Sequence, residues 1–172
     1  MRRRELPGGI PPPTKGELKR QAQAVQDLAN RLVEAPAALV DGLGLPDKLA
    51  DAVALARRIK VGGALVRQKQ FVAKLMRGLD LAPIQAALDT HADAARLDAA
   101  RFRRAERWRD RLVNDGPEGL DAFAAEYPGA DRAAVAALAA AAAAERASGQ
   151  GAGAGRRLFR YVQELLAASS RH

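Results

Sequence analysis

The stretch RRIKVGGALVRQKQFVAKLMR, from Arg57 to Arg77, contains seven basic residues and no Asp or Glu. From Leu65 onward its residues follow a helical period, with Leu65, Val72 and Leu75 on one side. A polar, mostly cationic set falls on another side: Arg67, Gln70, Lys74 and Arg77. Such a helix packs its apolar face on a core and presents charge outward. A phosphate backbone suits that array, and an ordinary solvated helix face is the alternative.

The composition of the whole chain extends this interpretation. The 172 residues carry a formal charge of +8 and a pI near 10.6, which favours polyanionic partners such as nucleic acid, an anionic membrane or an acidic protein. Strand patterns are nearly absent, so the sequence predicts an all-α fold. The absence of Cys excludes disulfides and thiolate metal sites. No apolar run is long enough to span a membrane, and we expect a cytoplasmic protein.

The N-terminal part of the chain is predicted as an arm followed by helices. Residues 1–13 are rich in Arg, Pro and Gly, and we expect a disordered arm. Thr14 and Glu17 have the spacing of a capping box, which predicts a helix from about 14 to 34. A second helix is predicted from Pro46 to about Lys60, before the Gly62-Gly63 pair. The basic helix then runs to Gly78, where a C-terminal cap is predicted.

One long helix is predicted from about 83 to 113, because that segment contains no further Pro and no Gly. A break near Thr90 and His91 is the alternative. The prediction for the whole chain is an elongated monomer with two small helical bundles joined by this helix. The N-terminal lobe covers 14–113 and the C-terminal lobe covers 114–172, with a flexible Gly/Ala linker at 148–155.

The second half of the long helix is a second basic segment, RFRRAERWRDR at 101–111. Arg104, Arg107 and Arg111 recur at i, i+3 and i+7, so one face is rich in guanidinium groups, which bind phosphate bidentately. Trp108 is interpreted as a core residue, with base stacking as the alternative. The segment therefore predicts a second surface for phosphate.

Motifs for catalysis and for cofactor binding are missing from the sequence. His91 has no second histidine or carboxylate at ligand spacing, and His172 is terminal. The glycines of SGQGAGAG at 148–155 follow no strand, which makes a phosphate-binding loop a weak interpretation. We expect no cofactor, no small-molecule substrate and no enzymatic activity. A membrane-surface role would need bulky aromatics beside the bases, and Phe71 is the one aromatic of the first basic segment.

Six stretches of the chain resemble a known bacterial family in order and spacing. They are KRQAQAVQDLANRLV at 19–33, ARRIKVGGALVRQKQFVAKLMRGLD at 56–80, PIQAAL at 83–88, RFRRAERWRDRL at 101–112, EYPGADR at 126–132 and RRLFRYVQELL at 156–166. The family is the dual-action ribosomal maturation proteins. The resemblance implies a non-enzymatic assembly factor that binds the large (50S) ribosomal subunit late in its maturation. It further implies that the protein promotes maturation of the peptidyl-transferase centre.

The basic residues predicted to bind rRNA come from the first helix and the two basic segments. They are Lys19, Arg20, Arg57, Arg58, Lys60, Arg67, Lys69, Lys74, Arg77, Arg103, Arg104, Arg107, Arg109 and Arg111. The chain departs from the family pattern at Val66, Ala136 and Ala140, where the family is often basic, and at Arg103. RNA contact by the 131–147 helix is therefore in doubt. The alternative function is a basic helical adaptor that binds an acidic protein.

Overall fold

The computed structural model describes residues 13–149, 151 and 153–169 and confirms the all-α prediction. The described residues form eight helices and no strand. In chain order the helices are α1 (Lys15–Glu34), α2 (Ala37–Asp41), α3 (Asp47–Arg58), α4 (Gly63–Met76), α5 (Ala82–Asn114), α6 (Gly116–Glu126), α7 (Arg132–Ser148) and α8 (Ala154–Ser169). Residues 1–12, most of the predicted disordered arm, lie outside the described residues.

The chain divides into two compact units, Met1–Ala92 and Asp93–His172, and the boundary falls inside α5. The predicted long helix is confirmed without a break near His91. Two hydrophobic cores, one in each unit, account for the division. The lobe boundaries and the elongated shape predicted from the sequence stay predictions.

The core of the first unit is aliphatic. Helix α4 packs against both α1 and α3, and Ile84 and Leu88 from the first turns of α5 complete this core. The confirmed capping box at Thr14 and Glu17 begins α1. The first three turns of α1 are nevertheless exposed, and Leu18 on these turns is 52% exposed. The buried part of α1 begins at Leu28.

The core of the second unit is built from the last turns of α5 together with α6, α7 and α8. Trp108 is buried there, as the sequence predicted, and its ring meets those of Phe123 and Tyr127 edge-on at 5.1 and 6.1 Å. Gly119 of α6 lies so close to the end of α5 that an added Cβ would lie 2.7 Å from the Arg111 carbonyl oxygen. That approach fixes α6 on the end of α5.

Helix boundaries differ from the predictions at two places. Helix α4 ends at Met76 with Arg77 as its cap in the right-handed region, so the predicted cap at Gly78 is wrong. At the predicted 148–155 linker, Gly149 (φ 66°) caps α7, while Ala154 and Gly155 already belong to α8. The Glu145 carboxylate accepts hydrogen bonds from the backbone N–H groups of Gly153 and Ala154. Glu145 thereby caps the start of α8, which explains the earlier helix start.

Candidate nucleic-acid interface

Helix α4 presents a cationic face because its opposite face is buried. Val72, Ala73 and Met76 are buried, which turns the far side of the helix to solvent. The exposed face carries the set that we call the α4 strip: Arg67, Gln70, Lys74 and Arg77. None of its three cations makes an ion pair with any of the described residues. The strip is therefore a row of uncompensated positive charge.

Two further cations lie at the junction of α3 and α4. Arg58 is the last residue of α3 and Lys60 lies in the connection, where Gly62 adopts a positive φ of 95° before α4 begins. Both side chains are exposed, and neither forms an ion pair within the described part of the chain. This junction extends the uncompensated charge toward the start of α4.

Two of the predicted RNA-binding residues are engaged inside the first unit. Arg57 is half-buried, and its guanidinium donates to the backbone carbonyl of Val33, at 3.1 Å, and to that of Ala35. It thus satisfies carbonyl groups at the end of α1. The Lys69 ammonium lies 2.7 Å from the Glu34 carboxylate, and the Lys69 side chain is only 19% exposed. We assign both residues to packing and leave them out of the interface proposed below.

Lys19 and Arg20 lie on the exposed first turns of α1, with no ion pair to a described residue. The helix start there is held by the capping box, in which Glu17 accepts a hydrogen bond from the backbone N–H of Thr14. That hydrogen bond lowers the pKa of the Glu17 carboxyl below its ordinary value. The carboxylate also suits the positive end of the helix dipole.

The basic segment of the second unit is largely paired with acids and aromatic rings. Its predicted residues, which we call the α5 arginines, are Arg103, Arg104, Arg107, Arg109 and Arg111. The Arg104 guanidinium pairs with Glu126 and lies 5.7 Å from the centre of the Tyr127 ring. Arg111 pairs with Asp115 at 3.4 Å and lies 5.2 Å from the Trp108 ring. Part of the positive charge of these arginines is therefore neutralised within the second unit.

Arg109 is paired in the same way. Its Nε and its terminal nitrogen donate to Asp110, at 2.9 and 2.7 Å, and the guanidinium lies 5.8 Å from the Phe159 ring. Arg103 and Arg107 differ, because they are exposed and make no ion pair with the described residues. Arg107 shares an open recess with Arg104 and Arg111, and Glu126 is the carboxylate that lines it.

The pairing around Glu126 shifts two pKa values. The hydrogen bond from Arg104 holds the pKa of the Glu126 carboxyl below its usual range. Burial, together with the hydrogen bond that its hydroxyl donates to Glu126 at 2.8 Å, raises the pKa of Tyr127 to about 12. Arg104, Glu126 and Tyr127 thus form one connected group, and its geometry depends on the ionised carboxylate.

Phe71 also belongs to this surface, although the sequence analysis did not place it there. The structure exposes 47% of it. Arg67 and Lys74 are its i−4 and i+3 neighbours, so the ring lies beside the α4 strip. The helical spacing from Arg67 and Lys74 was the signal that could have placed it there.

The described residues contain no group of three His, Cys, Asp or Glu side chains that could hold a metal ion. Among the described helices, none is both long and apolar enough to cross a membrane. Chemically, the arrangement supplies rows of cations on a rigid helical support. Such a support recognises phosphate by position and charge.

Comparison with known proteins identifies relatives across most of the chain. The family model "Dual-action ribosomal maturation protein DarP" matches residues 11–163. A protein of that name from Thiobacillus denitrificans is 41% identical over 156 residues, covering 91% of this chain and 88% of the relative. Another from Nitrosomonas eutropha is 43% identical over 119 residues, covering 69% and 67%. A third from Methylobacillus flagellatus is 36% identical over 160 residues, covering 93% and 88%.

Proposed function

The chain belongs to the dual-action ribosomal maturation protein DarP family, and from that premise we propose that it is a ribosome maturation factor. It binds the large (50S) subunit late in assembly and promotes maturation of the peptidyl-transferase centre. It does so without catalysis, by placing basic helix faces against rRNA. The large-subunit preference and the late stage are what the sequence resemblance implies.

The observation that carries the proposal is the α4 strip. Arg67, Lys74 and Arg77 are exposed together and have no ion pair within the described residues. Binding of RNA therefore breaks no described internal ion pair of these cations. Neutralised phosphates release their counterions, which makes the contact favourable and salt-dependent. Arg58, Lys60, Lys19 and Arg20 extend the same contact in the first unit.

The α5 arginines form the second part of the proposed interface. Arg103 and Arg107 are open to phosphate, whereas Arg104, Arg109 and Arg111 already pair with acids. RNA has to compete with those carboxylates, so we assign the larger share of the binding energy to the first unit. Double-helical rRNA suits both surfaces, because a helix of fixed shape offers regularly placed phosphates.

The direct test is co-sedimentation with purified large and small ribosomal subunits. Replacing Arg67, Lys74 and Arg77 by Glu should abolish association with the large subunit while leaving the circular dichroism and melting unchanged. The matched control replaces Lys48, Arg156 and Arg160 by Glu. These residues are exposed, lie outside the predicted set and give the same change in net charge. Equal loss in both variants would mean that net charge, and not the strip, governs association.

Two further measurements separate this function from its alternative. If the α4 strip makes three phosphate contacts, raising the salt concentration from about 50 to 200 mM should weaken binding roughly 40-fold. Complete nuclease digestion of the subunits should release the protein. An adaptor that binds an acidic protein would stay bound after digestion, and that result would replace the proposal.

A further inference from the structure

Phe71 is the one aromatic residue of the first unit, and it is not in the core. The core of this unit contains no aromatic side chain among its buried residues. The ring is 47% exposed and makes no ring–ring or cation–π contact with any described residue. Packing within the first unit therefore does not account for an aromatic side chain at this position.

The surroundings of the ring are those of a nucleotide-binding surface. Arg67 and Lys74 precede and follow Phe71 by four and three residues, and they lie about 10 Å apart along the helix axis. Neither has an ion pair with a described residue. The ring face and two uncompensated cations are thus open to solvent on one side of one helix. Aromatic rings stack on bases regardless of sequence, while the neighbouring cations hold the backbone.

We propose that Phe71 stacks on an unpaired nucleobase of the RNA while Arg67 and Lys74 hold the adjoining phosphates. The α4 strip then prefers a duplex with a bulged or otherwise unstacked base over a continuous duplex. This inference rests on the proposed function, because it requires that the strip contacts RNA. It adds a selection for RNA shape that the charges alone do not provide.

The second unit offers a comparison. Phe102 is exposed to a similar extent, 46%, but its ring meets Phe159 edge-on at 5.1 Å. Phe102 is therefore engaged with its own unit, and we assign it no base. It supplies the matched control for Phe71, with similar exposure and a different environment.

The test uses the full-length chain and two synthetic RNA hairpins. One hairpin is a continuous duplex, and the other carries a single unpaired 2-aminopurine, whose fluorescence falls when it stacks on a ring. We expect the parent protein to bind the bulged hairpin roughly tenfold more tightly and to quench the probe. Phe71→Leu should lose both the preference and the quenching while its affinity for the continuous duplex stays unchanged. Phe71→Tyr should keep both, and Phe102→Leu should behave as the parent.

Three outcomes would overturn the inference. The first is equal affinity of the parent for both hairpins. The second is a Phe71→Leu variant that still prefers the bulged hairpin. The third is a loss of affinity in Phe71→Leu that appears only with intact subunits. The last outcome would place the ring in an apolar pocket of a ribosomal protein. The proposed function fails separately, because only the Arg67, Lys74 and Arg77 reversal tests whether the strip contacts RNA. Melting of Phe71→Leu should match the parent, since the ring is exposed.

Discussion

The exposed face of α4 and the C-terminal half of α5 are both dense in basic residues, yet the fold treats them differently. The cations of the α4 strip find no carboxylate among the described residues, whereas Arg104, Arg109 and Arg111 each find one. Glu126 lies at the end of α6, whereas Asp110 and Asp115 lie one and four residues after the arginines that they pair with. The uncompensated charge of a segment therefore depends on the acids beside it, both in the sequence and in the fold.

The largest change in stability should come from reversing the charge of the paired α5 arginines. Replacing Arg104, Arg109 and Arg111 by Glu removes three ion pairs and three cation–π contacts, which should lower the stability of the second unit by about 3 kcal/mol. Affinity for the large subunit, corrected for the folded fraction, should fall far less than for the α4 reversal. Thermal melting together with co-sedimentation measures both. A stable variant that no longer binds would show that pairing does not distinguish the two surfaces.

The close approach of α6 to the end of α5 can be tested separately. Gly119→Ala places a methyl group 2.7 Å from the Arg111 carbonyl oxygen, and the resulting overpacking should cost about 2–3 kcal/mol in the second unit. Gly78→Ala in the first unit is the control, because nothing lies within 4 Å of its added Cβ. Differential scanning calorimetry of both variants measures the effect. A normal melt for Gly119→Ala would mean that α6 is not fixed by this approach.

Neighbouring arginines at the end of α3 sharpen the comparison within one unit. Arg57→Ala should destabilise the first unit by about 2 kcal/mol, because two backbone carbonyls at the C-terminal end of α1 lose this donor. Arg58→Ala should leave stability unchanged and weaken subunit binding, because its side chain is exposed and has no described ion pair. Urea unfolding and co-sedimentation of both variants separate the two roles. The prediction is wrong if Arg58→Ala is the less stable variant.

The smallest effect concerns the pH dependence of the paired group. Tyr127 has a pKa of about 12 in the folded protein against an ordinary value of 10.0. Since the folded pKa is the higher one, its contribution to stability is complete below pH 10 and is lost as the pH rises toward 12. Tyr127→Phe should remove this alkaline loss while costing about 1 kcal/mol at neutral pH. Melting curves at alkaline pH test this prediction. An equal loss of stability in the parent and in Tyr127→Phe would contradict it.

Local signals in the sequence were sufficient for much of the fold. The capping box at Thr14, the uninterrupted run of α5 and the burial of Trp108 were each predicted from residues within a few turns of helix. The exposed cations of the α4 strip were predictable for the same reason, because helical spacing and the lack of local acids determine them. These features need no knowledge of distant contacts.

The remaining features depend on partners far along the chain. Arg57 donates to the carbonyls of Val33 and Ala35, and Lys69 pairs with Glu34, all at the end of α1. No local sequence pattern indicates these contacts. The exposure of Leu18 likewise reflects how far along α1 the helices α3 and α4 pack. The exposure of Phe71 beside the α4 strip was not predicted either, although its i−4 and i+3 neighbours are cations.

The arrangement of the two cores has a consequence for how the protein is made. Buried residues of the first core lie within 28–88, and those of the second lie within 105–166, so each core uses one continuous part of the chain. We expect the first unit to fold while the nascent chain is still being extended, since N-terminal units emerge first.

Ile84 and Leu88 anchor the first turns of α5 in the first core. Starting a helix costs more than lengthening it, so the folded first unit supplies the start from which the rest of α5 grows. The second unit then assembles on a helix that already exists. A chain ending after Ala92 should melt cooperatively, and one ending before Ile84 should not. If both fragments melt alike, α5 does not link the folding of the two units.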